Sequence, residues 1–345
     1  MEENNGKYIR RCLELAKLGK GNVSPNPMVG SVIVFNNQII GEGYHMQYGE
    51  PHAEVNAINS VKDKSLLPKS TIYVSLEPCS HFGKTPPCAD LIIKHKIPNV
   101  VISSLDENEI VCGNGVKKLK SAGVNVTSGV LEQESKRLNK TFNKFQNTKL
   151  PWVILKWAQT ADGFIDHERT GQQPNALQIS NSVSSTYVHK LRAEVDAILV
   201  GKNTVIKDNP SLTTRRWFGA NPLRIVIDKN LDLDRQFKVF DNNAKTIVFN
   251  SQESKLEGQI EFVKIPFNTH YLKTILMWLG SKGIQSILVE GGAFTLQQFI
   301  NHKQFDECIV ITAPQIVKQG IKAPEPNFHF QQSFSLGNNN ISIYE

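Results

Sequence analysis

The stretch Pro51-His52-Ala53-Glu54, followed by Glu77-Pro78-Cys79 and then Pro87-Cys88, constrains this chain more than any other feature. One imidazole and two thiols are the N/S donors that zinc prefers. Three protein ligands leave a fourth position open for water, which is the catalytic rather than the structural arrangement. Zinc bound in this way lowers the pKa of its water to about 7. Glu54 lies two residues past His52, where it can stand beside the metal without ligating it and carry protons between the water and a leaving group. His-x-Glu followed by Pro-Cys and a second Cys is the zinc deaminase pattern. One departure is plain: eight residues, Ser80 to Pro87, separate the cysteines, where the general pattern has two.

A chain of 345 residues exceeds one typical core, so two domains are expected. The polar start, Met1-Glu2-Glu3-Asn4-Asn5-Gly6-Lys7, lacks a secretory apolar region, and no apolar run approaches membrane-spanning length. Of five cysteines, Cys12, Cys112 and Cys308 are scattered and read as free thiols, a usage that suits a reducing cytoplasm. Net charge is +7, with lysines spread along the chain. No nucleic-acid-binding motif accompanies that charge, so it reads as a basic surface suited to anionic, phosphate-bearing small molecules.

Periodicity predicts a helix over residues 8–19 and a hairpin of two strands around Asn36-Asn37. A helix over residues 52–61 places His52 and Glu54 on its first turn. A strand over residues 71–75 ends at Glu77-Pro78-Cys79. A helix over residues 87–95 sets Cys88 near an N-terminus that favours a thiolate. Asn26, fixed between Pro25 and Pro27, has an amide that can donate and accept and is equally a plain turn asparagine; His45, seven residues before His52, is a candidate substrate contact. Further strands at 100–103 and 124–126 and helices at 116–122 and 131–145 complete an alternating α/β unit over residues 1–147. Asn147-Thr148-Lys149-Leu150-Pro151 is the boundary, and a second alternating unit spans residues 151–345. Its strands fall at 151–156, 197–201, 223–228, 246–249, 260–265, 286–290 and, last, 307–312. Its helices fall at 182–193 and 271–281. Glu290-Gly291-Gly292 sits between a strand and a helix, where glycines admit a phosphate to backbone N–H groups. Taken alone it is equally a tight turn, and the Rossmann fingerprint is absent.

These residues resemble a known family, the bifunctional riboflavin-biosynthesis deaminase/reductases. The first half matches through Pro25-Asn26-Pro27-Met28-Val29-Gly30, Gly41-Glu42-Gly43-Tyr44-His45, Gly49-Glu50-Pro51-His52-Ala53-Glu54-Val55 and Leu76-Glu77-Pro78-Cys79-Ser80-His81-Phe82-Gly83-Lys84-Thr85-Pro86-Pro87-Cys88. That last run accounts for the long cysteine spacing. The second half matches through Leu155-Lys156, Asp162-Gly163, Val200-Gly201, Thr204-Val205, Asp208 to Arg215 and Val289-Glu290-Gly291-Gly292.

The resemblance implies a cytidine-deaminase-like α/β/α sandwich followed by a dihydrofolate-reductase-like domain. It implies two consecutive reactions: zinc-dependent deamination of 2,5-diamino-6-ribosylamino-4-pyrimidinone 5′-phosphate, then reduction of the product's ribosyl group to ribityl by NADPH. It places Zn2+ on His52, Cys79 and Cys88 and the proton shuttle on Glu54. Asn26, His45, Lys84, Asp106 and Asn108 fall at pyrimidine or phosphoribosyl contacts. In the reductase, Lys156 matches a lysine suspected in the reduction, though binding an anion would equally explain it. Ala158, Gln178, Thr204, Asp208 and the run Gly292, Ala293, Phe294, Thr295, Leu296, Gln297 and Gln298 fall at cofactor positions. Ala176, Arg192, Leu212, Arg215 and Glu290 fall at substrate positions, with Arg192 and Arg215 expected to hold the ribose phosphate. The family implies a cytoplasmic homo-oligomer, a dimer or tetramer, with a small-molecule substrate.

Departures cluster in the second half. Ala176-Leu177-Gln178-Ile179-Ser180 stands where the family commonly has Ser-x-Trp-Ile-Ser/Thr, and Thr160-Ala161-Asp162-Gly163-Phe164 where it has Ser-Leu-Asp-Gly-Lys. In the first half, Asp106-Glu107-Asn108-Glu109 replaces Asp-Pro-Asn-Pro. The competing readings are a nucleoside, nucleotide or tRNA-type deaminase with an unrelated second domain, and a non-catalytic binding or regulatory protein whose reductase half has lost activity.

Overall fold

The computed structural model describes residues 2–81, 86–107, 113–169, 176–325 and 328–345. Two compact units divide the chain, Met1–Lys149 and Leu150–Glu345.

In the first unit the elements are α1 (Glu2–Lys17), β1 (Gly30–Phe35), β2 (Gln38–Tyr44), α2 (Ala53–Ser60), β3 (Thr71–Leu76), α3 (Cys88–Lys94), β4 (Asn99–Ser104), α4 (Asn114–Ser121), β5 (Asn125–Ser128), α5 (Glu132–Leu138) and α6 (Lys140–Thr148). The five strands form one sheet in the order β2-β1-β3-β4-β5. The hairpin turn has Asn36 and Asn37 at φ 48° and 61°, the left-handed pair that a two-residue turn between twisted strands requires and that asparagine tolerates. β3, β4 and β5 run parallel, so the chain leaves β3 and β4 at the same edge of the sheet.

Side-chain alternation along the strands builds two cores. Val32, Val34, Tyr73 and Val101 pack with Tyr8, Ile9 and Cys12 of α1 on one face. Ile33, Ile72, Val74, Val100 and Ile102 pack on the other with Ala57 and Ile58 of α2, Ala89 and Ile92 of α3, and Leu119 of α4. Gly43 lets β2 press directly on α2: a Cβ there would lie 2.3 Å from the Ala57 nitrogen and 2.7 Å from the Ala53 carbonyl.

The helix expected over residues 131–145 is two helices, broken at Asn139. That side chain accepts from the Met28 N–H (2.9 Å) and donates to the Met28 carbonyl (3.0 Å). An asparagine amide that pairs with a backbone peptide in this way competes with helix continuation, and here it fixes the segment that follows Asn26 and Pro27.

The second unit contains β6 (Trp152–Thr160), β7 (Phe164–Asp166), α7 (Ser182–Ala193), β8 (Ala197–Gly201), α8 (Lys202–Asp208), β9 (Leu223–Ile227), β10 (Thr246–Asn250), β11 (Lys255–Glu257), β12 (Ile260–Lys264), α9 (Tyr271–Ser281), β13 (Ser286–Val289), α10 (Ala293–Asn301), β14 (Glu307–Ala313), β15 (Ile321–Lys322), β16 (Phe330–Leu336) and β17 (Asn339–Tyr344). A ten-stranded sheet has the order β11-β12-β10-β9-β8-β13-β6-β14-β17-β16. From β12 to β14 the neighbours are parallel, while β11, β17 and β16 pair antiparallel at the margins.

Alternation again separates two faces. Ala197, Leu199, Ile287 and Val289 point to the core shared with Leu272, Ile275 and Leu279 of α9 and Leu296 and Phe299 of α10. Ile198, Val200, Val226 and Val248 point to a core with Val205 of α8. Leu288, Ile309 and Ile311 meet Val188 and Leu191 of α7.

The sequence expectation lacks the short strands β7, β11 and β15, and two further stretches differ from it. Residues 202–208 are helix α8, which begins directly at the end of β8. The strand over 307–312 is not the last, because β16 and β17 form a hairpin across Gly337-Asn338 that extends the sheet. β16 is largely exposed, so its Gln-Gln-Ser-Phe-Ser-Leu lacks the apolar run that marks a buried strand.

Because Gly43 sets the distance between β2 and the helix carrying Glu54, Gly43→Ala is expected to cost about 2 kcal/mol through overpacking. Urea denaturation and metal content, measured together, check this: a stable variant with unaltered zinc binding would show that the close approach is not required.

Candidate active sites

In the first unit, His52 is the N-cap of α2, Glu54 lies in that helix's first turn, Cys79 follows β3, and Cys88 opens α3. The three donor atoms lie within 4.8 Å of one another. His52 Nδ1 is 3.6 Å from Cys79 Sγ and 3.4 Å from Cys88 Sγ, so Nδ1 is the nitrogen turned toward the thiols. The Cys88 backbone N–H also donates to Cys79 Sγ (3.3 Å).

The electrostatics fit a cation site. Hydrogen bonds from Cys88 and His52 hold the Cys79 thiol down at about 4, against the effect of burial. The Cys88 thiol is driven up by its hydrogen bond with Cys79 and by burial. A bound cation takes both as thiolates. Glu54 is 3% exposed, and burial together with the nearby Cys79 pushes its carboxyl up to about 7.

His45 sits edge-on to His52, ring centroids 5.4 Å apart. Its Nδ1 is 3.2 Å from the Pro51 carbonyl, an acceptor only, so Nδ1 carries the proton. Nε2 then accepts from Asn26 Nδ2 at 3.1 Å. This arrangement aligns the Asn26 amide, and burial keeps His45 below its ordinary pKa. Asp106 is buried just beyond β4. Lys84 and Asn108 lie outside the described residues.

In the second unit, a cavity of about 1200 Å³ opens over the ends of β8 and β13, at the carboxyl side of parallel strands where α/β sheets bind ligands. Lys156, Ala158, Ala176, Gln178, Thr204, Asp208, Glu290, Gly292, Ala293, Phe294, Thr295, Leu296 and Gln298 line it. Gln297 is not in that lining and donates instead to Asn301 at 2.7 Å.

Glycines permit this assembly. A Cβ on Gly291 would fall 2.4 Å from the Val200 Cα, and one on Gly201 would fall 2.3 Å from Thr295 Oγ1; Gly292 adopts φ 52°. The N-termini of α8 and α10 therefore adjoin, and neither helix has a side-chain cap.

Lys156, Arg192 and Glu290 form a buried cluster. Arg192 grips Glu290 through Nε and Nη2, both at 2.8 Å, and its Nη1 donates to the Thr213 carbonyl at 3.1 Å. Lys156 Nζ lies 3.8 Å from Glu290 Oε2. Burial alone would lift the Glu290 carboxyl, but Arg192 and Lys156 outweigh it and hold it at about 2. Burial and Arg192 lower Lys156 despite Glu290. Leu212, buried with φ 55°, precedes the Thr213 carbonyl that Arg192 reaches. Arg215 is exposed and has no ion pair among the described residues.

Two residues went unread in the sequence. Arg169 is 8% exposed and binds Asp166 (2.5 Å) and Asp208 (2.8 Å) in the cavity wall. Asp166 in turn accepts from Leu177 N–H at 3.0 Å, between Ala176 and Gln178. His189, one helical turn before Arg192, is buried with Nδ1 unpartnered; burial, Arg192 and Arg215 push it down to about 4. Its i, i+3 relation to Arg192 was the available signal.

Residues 2–104 match the family model described as the cytidine and deoxycytidylate deaminase zinc-binding region. Residues 151–331 match the RibD C-terminal domain. The riboflavin biosynthesis protein RibD of Aquifex aeolicus is 40% identical over 329 residues, covering 93% of this chain and 90% of its own. The protein of the same description from Escherichia coli is 36% identical over 360 residues, covering 96% of each. The crystal structure of a diaminohydroxyphosphoribosylaminopyrimidine deaminase/5-amino-6-(5-phosphoribosylamino)uracil reductase from Thermotoga maritima superposes with TM-score 0.89 at 37% identity, covering 99% of this chain and 98% of that one.

His52→Ala removes one of three donors, so bound zinc is expected to fall from about one per chain to near none, as read by elemental analysis. Glu290→Gln leaves Arg192 and Lys156 buried without their anion, an expected loss of about 3 kcal/mol near neutral pH. The native Glu290 carboxyl titrates at about 2, below its ordinary 4.5, so the unfolded chain takes up the proton first. Its contribution is complete above about pH 4.5 and lost as pH falls toward about 2. Denaturation curves of both proteins across that window should therefore converge on acidification; parallel curves would count against the ion cluster.

Proposed function

The chain belongs to the RibD family of bifunctional riboflavin-biosynthesis deaminase/reductases, and from that footing we propose which reactions its two units carry out and which residues do the work. The first unit deaminates 2,5-diamino-6-ribosylamino-4-pyrimidinone 5′-phosphate. The second reduces the ribosyl chain of the product to ribityl with NADPH. The observation that carries this reading is the convergence of His52, Cys79 and Cys88 beside a buried carboxyl at about 7.

His52, Cys79 and Cys88 would hold zinc, which supplies Lewis acidity and a water acidified to about pKa 7. Glu54, poised near neutrality, accepts the proton that the attacking water sheds. The water oxygen bonds to the amine-bearing ring carbon while Glu54 passes that proton to the adjacent ring nitrogen; Glu54 then moves the proton of the added hydroxyl to the amino group, so the C–N bond breaks, ammonia leaves and the carbon keeps a carbonyl oxygen. Asn26, oriented through His45, offers its amide to the pyrimidine, and Asp106 lies at the sheet edge that carries Cys79.

In the second unit the uncapped N-termini of α8 and α10 supply backbone N–H groups for the phosphates of the dinucleotide. NADPH bound there supplies the hydride. The ring-opened imine of the ribosylamine, its former ring oxygen protonated, would need a hydride at C1′, which the cofactor would supply, and a proton at nitrogen, which a residue of this chain must give. Lys156, desolvated and held by Glu290, stands as the proton source. Arg192 is committed to Glu290 and Thr213, so Arg215 is the arginine available for the ribose phosphate. Four described cysteines are free of disulfides, which supports a reducing, cytoplasmic setting; the family resemblance, not the cysteines, is what supports a homo-oligomer of two or four copies.

The test is a coupled assay on zinc-loaded protein with the diaminopyrimidine ribosyl phosphate and NADPH, following ammonia and NADPH together. Both should change. Glu54→Gln should keep zinc at about one per chain while ammonia release falls by roughly 10²–10⁴-fold, and should still consume NADPH when given the deaminated compound. Ammonia release undiminished in that variant would remove Glu54 from the mechanism. Turnover of cytidine-type compounds alone would reject the substrate.

A further inference from the structure

Glu77 opens the cysteine motif, yet it is neither a metal ligand nor directed at the three donors. Its side chain is 4% exposed and turned away, toward the chain that follows β4. Oε2 accepts from the Gly113 N–H at 2.9 Å and the Asp106 N–H at 3.4 Å, and Oε1 accepts from the Val116 N–H at 3.1 Å. The backbone is joined as well: Glu77 N–H donates to the Ser104 carbonyl at 3.0 Å. A carboxylate has two acceptor oxygens and no donor, and its three partners among the described residues are all backbone donors.

Two of them, Gly113 and Val116, are groups that α4 leaves unsatisfied at its N-terminus. Gly113 is the N-cap, at φ 72°, and has no side chain with which to cap the helix. Glu77 caps it from another element. The seal is tight: a Cβ on Gly115 would lie 2.0 Å from the Pro78 carbonyl and 3.2 Å from Glu77 Oε1.

We propose that Glu77 is a positioning residue for the deamination, tying the backbone of Asp106 and the start of α4 to the peptide that delivers Cys79. One carboxylate thus fixes a substrate-contacting side chain relative to a metal ligand two residues along the chain. The inference rests on the deaminase reading above together with the family resemblance, which puts Asp106 at a pyrimidine or phosphoribosyl contact. An interaction that holds substrate and transition state alike acts on KM and leaves kcat in place.

The experiment uses full-length, zinc-loaded Glu77→Gln, whose side chain keeps the shape but exchanges one acceptor for a donor. Expected are about one zinc per chain, kcat within a few-fold of the parent, and a KM for the diaminopyrimidine ribosyl phosphate raised roughly 10- to 100-fold. Adding Asp106→Ala to Glu77→Gln should raise KM no further, since both changes disable one contact. Gly115→Ala, which displaces the same segment with Glu77 intact, should raise KM in the same way. A purely structural cap would instead lower kcat, zinc content and stability together, and would multiply with Asp106→Ala; either result overturns the proposal.

Amide hydrogen exchange supplies a readout free of activity. Asp106, Gly113 and Val116 should exchange at least about 10-fold faster in Glu77→Gln, and unchanged protection overturns the proposal whatever the kinetics. If the parent protein releases no ammonia from this substrate, the deaminase reading falls and takes the role of Asp106 with it.

Discussion

Three soft donors must meet within 4.8 Å, and the first unit is arranged around that requirement. Thiols and an imidazole gain little from one another in water, so the backbone has to impose their proximity. It does so with parallel strands and helix starts. β3 delivers Cys79 at its carboxyl end, α3 delivers Cys88 on its first turn, and α2 delivers His52 and Glu54 together. Gly43 allows α2 to lie directly on β2. A helix standing further off would carry both His52 and Glu54 away from the cysteines, so the packing of one glycine bears on metal binding and proton transfer at once.

The second unit solves a different problem with similar means. Here a charged cluster rather than a metal site is held at the strand ends. Gly201 and Gly291 let β8, β13 and α10 approach closely enough for two helix N-termini to border one cavity. Phosphates are drawn to such ends by unsatisfied N–H groups and the helix dipole. Glu290, at the exit of β13, orients Arg192 from α7 and Lys156 from β6. Three elements that never touch in sequence converge on one carboxylate.

Much of this was legible in the chain. The metal donors and Glu54 could be read because zinc chemistry dictates residue types and short spacings that survive any loop length. The hairpin at Asn36-Asn37 was legible because left-handed backbone selects asparagine. The break at Asn139 was not, since its cause is a pairing with Met28, 111 residues away. β16 was missed because an exposed edge strand carries little apolar signal. Arg169 and His189 were missed because each has only a weak local signal, an i, i+3 neighbour, and the rest of their surroundings, Asp208 for Arg169 and Arg215 for His189, are brought by the fold. Gln297 shows the converse. A run read as continuous in sequence winds around a helix, and one member turns away from the cavity.

The substitutions at Ala176 and Gln178 raise the question of whether the second unit has lost its chemistry. Burial argues against that. Lys156, Arg192 and Glu290 all have side chains no more than 12% exposed, and such clusters are commonly no more stable than apolar residues of similar volume. A unit kept only for its fold would gain by replacing them. The wall around residues 176–178 is also organised: Asp166 holds the Leu177 backbone and Arg169, and Arg169 holds Asp208. At the position where the family commonly has a tryptophan this chain has Gln178, whose Nε2 donates to the Ser180 carbonyl at 2.6 Å. A site that retains a costly charge cluster and a connected wall beside it is organised to bind and reduce its substrate.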